Sequence, residues 1–395
     1  MDSAMINDPV TVFAVLAGVL AGIFYLSTLP ALKKFFERLP PVIWAYFIPM
    51  FMTTAGVLPE SNSAYSLMSA VLLPMALFLL MISVDVPAIM RLGRVALIMM
   101  VTGTVGIVLG GPIAYLIFKG SLPPDAWKGF ATLSGSWIGG TANMLFIQNQ
   151  VAMPDSMLGP VIIVDTVVGY GWMGILLLFA NMQERFDKWV GADTSLMDAT
   201  SARLEAIETK RRPANVADLA LLFGFAFFVT IVVSAVAPYV SDFVSSDFLG
   251  TSTLGILIIV TLGLALSFTP VRKLEEVGAS SMGFVALYLL LTSIGARANL
   301  AAVLDAPIFL AAGIVWISIH VGLLFLVAYL IKAPLFFVAT GSMANIGGAA
   351  SAPVVASVYR SSMTSVGLLM AISGYILGIY AALGASWLFE YASGF

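Results

Sequence analysis

Two thirteen-residue stretches of this sequence, Ala131–Asn143 (ATLSGSWIGGTAN) and Ala339–Ser351 (ATGSMANIGGAAS), align without a gap when the chain is shifted by 208 residues. Seven of the thirteen positions are identical, and both stretches contain an Ile-Gly-Gly triplet. A second pair, Ala76–Ser83 and Ala286–Ser293, matches at five of eight positions at a shift of 210. Two separate matches at nearly the same shift indicate a duplicated unit.

The sequence around the two stretches is that of a membrane protein. Of its 395 residues, 60% are hydrophobic and only 10% are charged, which is far from the balance of a soluble domain. A transmembrane helix needs about 20 mostly apolar residues. Ten runs meet this need: 9–27, 41–57, 64–86, 93–118, 157–180, 216–238, 252–269, 280–296, 307–331 and 364–389. Two further apolar runs, 127–152 and 335–357, are broken by glycine. We therefore predict an all-α polytopic membrane protein.

A long polar segment, 181–215, divides the chain into a first repeat at 1–180 and a second at 216–395. We expect a short surface helix in this linker. The opening segment Met1–Asp8 is acidic and has no basic n-region, so the first apolar run is predicted to be a retained span. The chain has no cysteine, which excludes disulfides and thiolate sites, and its net charge of −3 gives no reason to expect a nucleic-acid partner.

The charges bear on how the chain crosses the membrane. If all twelve apolar runs crossed, seven basic residues would lie on one side and eleven on the other. Suppose instead that each glycine-broken run enters and leaves the membrane by the same face. Then 15 of the 18 basic residues lie on one side of the membrane, and only Lys119, Lys128 and Arg297 lie on the other. Because basic loops stay cytoplasmic, this arrangement predicts a cytoplasmic linker and both termini in the periplasm, in a bacterial plasma membrane. A broken helix that crosses fits the length of 127–152 as well.

The second arrangement leaves five transmembrane helices in each half, an odd number, so the halves are predicted to be inverted repeats. Inverted repeats with broken helices near the midplane are typical of carriers. Unpaired backbone is tolerated in the membrane only where it lines a cavity, and the glycine pairs mark where it would lie. The alternative is that these small residues only allow close helix packing.

Polar residues around the glycine pairs form the predicted site, since helix ends and amide or hydroxyl oxygens suit ions and small polar solutes. The predicted cation-binding residues are Asp165, Asn143, Thr141, Ser136 and Asn345. The predicted substrate-binding residues are Ser134, Gly139, Gly140, Ser342, Gly347, Gly348, Ser351, Ser373 and His320.

Asp165 is the carboxylate that lies deep inside a predicted span, directly after the first glycine-broken run. A central Asp costs about 2.5–3.5 kcal/mol on insertion scales, so we expect a compensating role as cation ligand or proton carrier. The alternative is a structural, hydrogen-bonded Asp. His320, the single histidine, could relay protons or contact solute, or it could be a hydrogen-bonded packing residue.

Signatures of catalysis are missing from the sequence. It contains no HExxH motif, no P-loop and no paired carboxylates in a span. We therefore predict that the protein is not an enzyme and has no cofactor, apart from a possible Na⁺ coupling ion. Without a nucleotide-binding signature, transport would draw on an ion gradient or run passively.

The segments GSWIGGTANM and TGSMANIGGAAS resemble those of the YjcL-like family of uncharacterised bacterial membrane proteins. That family is grouped with cation:proton antiporters and with glutamate and 2-hydroxycarboxylate carriers. The resemblance implies five spans per inverted repeat, a glycine-rich re-entrant or broken segment in each, and an elevator motion against a dimerising scaffold. The chain departs from the best-known antiporters in its single buried Asp, and from citrate-type carriers in lacking an obvious buried Arg.

Three functions are compatible with these features. The leading hypothesis is cation-coupled symport, with Na⁺ or H⁺, of a small anionic or zwitterionic organic solute by a homodimeric carrier. The second is a sodium:proton antiporter in which Asp165 exchanges the two ions. A passive channel or a non-transporting scaffold is the third. Polar groups in both glycine-rich segments favour symport, because an antiporter needs only an acid and a cation cage.

Overall fold

The computed structural model describes residues 4–38, 41–90, 92–193, 195, 197, 212–244, 251–297, 306–360 and 363–394. These residues form helices and connecting turns, with no β-strand among them. The α-helices are α1 (Pro9–Thr28), α2 (Lys33–Arg38), α3 (Pro41–Thr54), α4 (Ser63–Ile82), α5 (Val86–Met90), α6 (Arg94–Phe118), α7 (Ala126–Gly139), α8 (Thr141–Gln150), α9 (Leu158–Phe179), α10 (Gln183–Val190), α11 (Val216–Val244), α12 (Thr251–Leu266), α13 (Ala279–Arg297), α14 (Ala306–Ile331), α15 (Leu335–Ile346), α16 (Gly348–Tyr359) and α17 (Thr364–Ser393).

Eight helices in the described part of the chain are long and apolar enough to cross a membrane. They are Pro9–Thr28, Ser63–Ile82, Arg94–Ser121, Asp155–Val190, Val216–Asp242, Ala279–Arg297, Pro307–Ile331 and Val366–Ser393. They coincide with eight of the ten apolar runs, so the prediction of a multi-pass all-α membrane protein is confirmed.

The other two runs form shorter helices than expected. α3 has 14 residues and is about 21 Å long, less than the roughly 30 Å of a hydrocarbon core. The run at 252–269 ends as an α-helix at Leu266, because a 3₁₀ helix over Pro270–Val277 follows and turns by 94°. The α-helix that ends at Leu266 and this 3₁₀ helix count as a ninth candidate span only when they are taken together.

The chain forms two compact units, and both halves of the sequence contribute to each. The first unit contains α1–α4 and α11–α13, together with the segment Pro154–Pro160. The second contains α5–α8, the rest of α9, α10 and α14–α17. The predicted boundaries at 180 and 216 therefore describe the repeat in the sequence. The compact units are different: each contains corresponding parts of both halves.

Within the first unit, α13 packs against α3 and α4. The closest approach is at Gly295, where a Cβ would overlap the backbone of Tyr46. Next to it, the hydroxyl of Thr53 donates a 2.8 Å hydrogen bond to the carbonyl of Ala296. Arg297 ends α13 and forms an ion pair of 2.8 Å with Asp155. Arg297 therefore ties the segment after α8 to this unit.

Within the second unit, α6 packs along α14 over a row of glycines. A Cβ on Gly106 would lie only 2.9 Å from the Cα of His320, so a larger residue would separate the helices. The indole of Trp316 donates a 2.9 Å hydrogen bond to the carbonyl of Ile107. Small residues at such an interface allow the close packing on which membrane helices depend.

A short helix with one exposed side, α10, begins the polar linker, where the sequence predicts a short surface helix. It ends at Gly191, which has a φ of +65°. Its Asp187 is 7% exposed and accepts a 2.8 Å hydrogen bond from the N–H of Leu335. Asp187 therefore caps the N-terminus of α15, where backbone N–H groups have no intrahelical partner. Residues 198–211 of the linker lie outside the described residues.

Candidate binding site at two helical hairpins

The first glycine-broken run folds back on itself. α7 and α8 meet at Gly140, whose φ of +80° is open to glycine and rarely adopted by other residues. A Cβ added to Gly135 would lie 2.6 Å from the carbonyl oxygen of Asn143 and 2.9 Å from the Cα of Met144. In a straight helix, Gly135 and Met144 would lie about 13.5 Å apart along the axis. The chain therefore reverses, and α7 and α8 form a helical hairpin, here called hairpin one.

The second glycine-broken run also returns to its starting end. At its start, the N–H of Leu335 is bound to Asp187; at its end, the hydroxyl of Tyr359 donates a 2.7 Å hydrogen bond to the carbonyl of Leu176. A straight helix over Leu335–Tyr359 would be about 36 Å long. Instead, the start of this run contacts α10 and its end contacts the last turn of α9, the helix that precedes α10. α15 and α16 thus form hairpin two, with its break at Gly348, which has a φ of +57°.

The two hairpins approach the long helix α17 from its opposite ends. At the start of hairpin one, the Phe130 ring packs against the Phe389 ring near the C-terminus of α17, with centroids 6.1 Å apart. The returning arm of hairpin two lies at the other end, where a Cβ on Gly367 would be 2.6 Å from the carbonyl oxygen of Ala352. Each hairpin therefore extends inward along α17 towards its middle.

The hairpin tips meet at Gly374. A Cβ on Gly374 would lie 3.0 Å from the carbonyl oxygen of Ile138 and 3.5 Å from that of Ala344. We call Ile138, Ala344 and Gly374 the tip junction. The two carbonyls belong to the last turns of α7 and α15, where helix carbonyls lack an N–H partner four residues on and carry partial negative charge. Two such ends converging in an apolar interior favour a cation or hydrogen-bond donor.

Asp165 lies beside hairpin one. Its Oδ1 accepts a 2.9 Å hydrogen bond from the hydroxyl of Ser136, one turn before the tip of α7. One turn further along α9, a Cβ on Gly169 would be 3.5 Å from the side chain of Ile346, at the tip of hairpin two. Asp165 is therefore level with both tips. Asp165 as a whole is half-buried.

Asn143 stands in the first turn of α8 and is 1% exposed. Its Nδ2 atom has no hydrogen-bond partner among the described residues. A Cβ on either Gly139 or Gly378 would overlap this nitrogen, so the amide occupies a slot between two glycines. The side chain was predicted to bind the cation, which requires its oxygen. The unpaired atom in the slot is the donor nitrogen.

Asn345, the amide of hairpin two, has hydrogen-bond partners at both its nitrogen and its oxygen. Its Nδ2 donates to the carbonyls of Gly341 at 2.9 Å and Met100 at 3.2 Å, and its Oδ1 accepts a 2.8 Å hydrogen bond from Thr104. The side chain is fully buried. Thr104 and Met100 belong to α6, so these bonds join hairpin two to α6. Both the nitrogen and the oxygen of the Asn345 amide are bonded to protein groups.

His320 belongs to a second closed network. Its Nδ1 is 2.9 Å from the carbonyl oxygen of Gly103, and its Nε2 is 2.8 Å from the hydroxyl of Ser342. Because a carbonyl can only accept, Nδ1 carries the proton and Nε2 accepts from Ser342, whose oxygen in turn accepts from the Trp172 indole at 2.9 Å. The neutral ring is fully buried, and this geometry suits a packing role. Solute contact by His320 stays a prediction.

The remaining predicted residues fall into two groups. The hydroxyls of Ser134 and Ser373 are bonded within their own helices, to the carbonyls of Ala131 and Met370. The others lie at the helix breaks: Thr141, Gly139, Gly140, Gly347, Gly348 and Ser351. Among the described residues there is no group of three or more His, Asp or Glu side chains that could hold a metal ion.

Sequence reasoning missed four residues that shape this region. Gly374 and Gly378 receive the tip of hairpin one, and their four-residue spacing is a known signal for close helix contact. Thr104 and Trp172 bind Asn345 and Ser342, and nothing in their local sequence indicates these partners. The signal for the glycines was available, although it could not say which helix would approach them.

Comparison with known proteins places the chain in a family without assigned function. It is 26% identical over 345 residues to a protein of Bacillus subtilis (strain 168) named "Uncharacterized membrane protein YjcL", covering 84% of this chain and 85% of that protein. A family profile described as "Protein of unknown function (DUF819)" matches residues 14–391, nearly the whole chain. With its apolar helices, this chain belongs to the DUF819 family of membrane proteins.

Proposed function

We propose that the protein is a secondary transporter that couples a cation, Na⁺ or H⁺, to symport of a small anionic or zwitterionic organic solute. The observation that supports this most strongly is the tip junction, where hairpins entering from opposite ends of α17 bring the carbonyls of Ile138 and Ala344 to Gly374. Discontinuous helices that meet inside an apolar protein are the usual architecture of ion and solute sites in carriers.

In this proposal the cation binds beside Asp165. The carboxylate supplies the charge, and Ser136 holds one of its oxygens at 2.9 Å. The carbonyl ends of α7 and α15 add partial negative charge nearby. An Asp inside a membrane span is expensive, and a bound cation or proton offsets that cost.

The arrangement of the second unit supports inverted repeats and an elevator motion. α6, hairpin one and α9 follow the same order as α14, hairpin two and α17. The two hairpins approach α17 from opposite ends, as an inverted pair would. We propose that the second unit carries the solute, and that the first unit is the scaffold and forms a homodimer. Both termini are proposed to be periplasmic.

A sodium:proton antiporter is the second candidate, and one specific observation favours it. The side chains of Asn345 and Ser342, which a larger solute site would use, are bonded to protein groups. If they stay so, Asp165 and the hairpin carbonyls remain as a site of a size suited to one ion. In that case Na⁺ and H⁺ would compete for the Asp165 carboxylate.

Flux measurements in proteoliposomes test the proposal. The purified protein is reconstituted with a pH-sensitive dye inside, and radiolabelled Na⁺ uptake is followed with and without a panel of organic acids outside. Symport predicts saturable Na⁺ uptake, or internal acidification, that needs an external solute. Antiport predicts internal alkalinisation driven by external Na⁺ alone. Uptake no faster than in empty liposomes, across the panel, would contradict a transporter.

A further inference from the structure

The two hairpin amides differ in a way that assigns them different roles. Asn345 uses both ends of its amide, with Gly341 and Met100 as acceptors and Thr104 as donor. Asn143 is equally buried, but its Nδ2 has no partner among the described residues. A buried amide donor without a partner costs free energy, and native proteins keep such groups where a ligand or water completes them.

The surroundings of Asn143 show how its nitrogen is buried without a hydrogen-bond partner in the described part of the chain. Gly139 precedes the break of hairpin one, and Gly378 lies on α17; a Cβ on either would overlap Nδ2. The slot therefore exists because both positions are glycine. Asn143 also lies in the first turn of α8, where the helix dipole favours negative charge. Its own backbone N–H donates a 3.0 Å hydrogen bond to the carbonyl of Gly140, so the side-chain nitrogen is its unpartnered donor among the described residues.

A donor nitrogen at a helix N-terminus is matched by an oxygen that carries negative charge. A cation would meet the Nδ2 donor of Asn143 and the positive end of the α8 dipole, and both repel positive charge. Asp165, which carries a negative charge itself, is linked to Ser136 only one turn of α7 away from Gly139. A carboxylate bound at Asn143 would thus repel Asp165 unless a cation lay between them, which links solute and cation binding.

We propose that Asn143 binds a carboxylate oxygen of the transported solute, and that Asn345 is a positioning residue that never contacts it. This inference rests on the proposed transport function and names the chemical group that the site recognises. Thr104 shares the positioning role, because its hydroxyl holds the Asn345 amide oxygen and so fixes the tip of hairpin two against α6.

Thermal unfolding of the purified full-length chain tests this assignment. The probes are acetate, lactate, succinate and glycine, with acetamide as a neutral control of similar size, each in Na⁺ and in choline buffer. We expect at least one carboxylate to raise the Tm of the parent in Na⁺ but not in choline, and acetamide to have no effect. Asn143→Ala should lose this rise, with little change in its Tm without probe, because the removed donor had no partner.

Asn345→Ala is the matched control. It should lower the Tm without probe, because it removes the hydrogen bonds that the Asn345 amide makes with Thr104, Gly341 and Met100, and it should keep the carboxylate-dependent rise. If Asn345→Ala fails to fold, Thr104→Val removes the same hydrogen bond more gently and should behave alike. The assignment is overturned if Asn143→Ala keeps the rise, if both amide variants lose it equally, or if no carboxylate stabilises the parent.

Failure of this inference and failure of the transport proposal give different results. Na⁺ or proton flux by the parent in proteoliposomes, without any carboxylate-induced change in Tm, would overturn only the assignment of Asn143. A loss of Na⁺-induced stabilisation in Asn143→Ala in the absence of solute would identify Asn143 as a cation ligand, and this too would overturn it. The absence of flux would contradict the transport proposal itself.

Discussion

The hydroxyl of Ser136, on hairpin one, donates a 2.9 Å hydrogen bond to Oδ1 of Asp165 on α9. This contact joins the membrane-embedded acid to the helix whose last carbonyls form part of the tip junction. It holds the carboxylate towards the hairpin tip. If the proposed cation binds at Asp165, this hydrogen bond links the cation to hairpin one.

Replacing Ser136 with Ala should weaken cation binding without preventing folding. A hydrogen bond to a charged group contributes about 1.5–3 kcal/mol, so we expect Na⁺ affinity to fall by about tenfold or more. Ser134→Ala is the matched control two residues away, because its hydroxyl bonds only to the carbonyl of Ala131 in its own helix. The measurement is the Tm as a function of Na⁺ concentration. If Ser136→Ala and the parent give the same Na⁺ dependence, Ser136 does not belong to the cation site.

The hairpin geometry predicts which loops share a side of the membrane. Ser121 precedes α7 and Ser156 follows α8, both exposed, and Ser195 lies in the linker. Since the chain has no cysteine, each can be replaced singly by Cys and labelled with a membrane-impermeant reagent. We expect Ser121→Cys and Ser156→Cys to label in intact cells and Ser195→Cys only after lysis. Labelling of the first two from opposite sides would contradict a hairpin.

Part of this fold could be predicted from sequence because it depends on local chemistry. The 208-residue repeat located both breaks, and α7 ends at Gly139 while α16 begins at Gly348. Glycine is the residue that accepts the positive φ of Gly140 and Gly348, so the breaks were visible in the chain. The length of α3 was not, because an apolar run does not show where its helix begins and ends.

The glycines at the hairpin breaks should not tolerate branched side chains. A Cβ on Gly139 would overlap the Asn143 amide and lie 2.7 Å from the Gly374 carbonyl oxygen, and a Cβ on Gly347 would overlap Met343. We expect Gly139→Val and Gly347→Val to reach the membrane but to lose uptake in proteoliposomes. Gly174→Val on α9 is the control, since nothing lies within 4 Å of its added Cβ. Normal uptake by either hairpin variant would argue against a site at the tips.

The cap of hairpin two should be measurable as stability. Asp187→Ala removes the acceptor that binds the N–H of Leu335 at 2.8 Å, and loss of an N-cap typically costs about 1 kcal/mol. We expect a lower Tm and faster proteolysis for this variant. Glu184→Gln, on the same helix and exposed, should leave both unchanged. An unchanged Tm for Asp187→Ala would show that α10 does not hold hairpin two.

The candidate site was predictable only in part. Asp165 follows hairpin one closely in the chain and lies beside it, bonded to Ser136. The different states of Asn143 and Asn345 were not predictable, since they depend on α6 supplying Thr104 and Met100 to one amide only. Such pairing is decided by packing between distant segments and leaves no local pattern.

The Na⁺ dependence of thermal unfolding in Asp165→Asn tests the central claim most directly. The substitution keeps the size of the side chain and removes its charge, so the variant should express and fold. For the parent we expect Na⁺ to raise the Tm, and to do so less as the pH falls, because protons compete for the same carboxylate. Asp165→Asn should show no Na⁺-induced rise at any pH. A rise equal to that of the parent would contradict the account by removing Asp165 from the cation site.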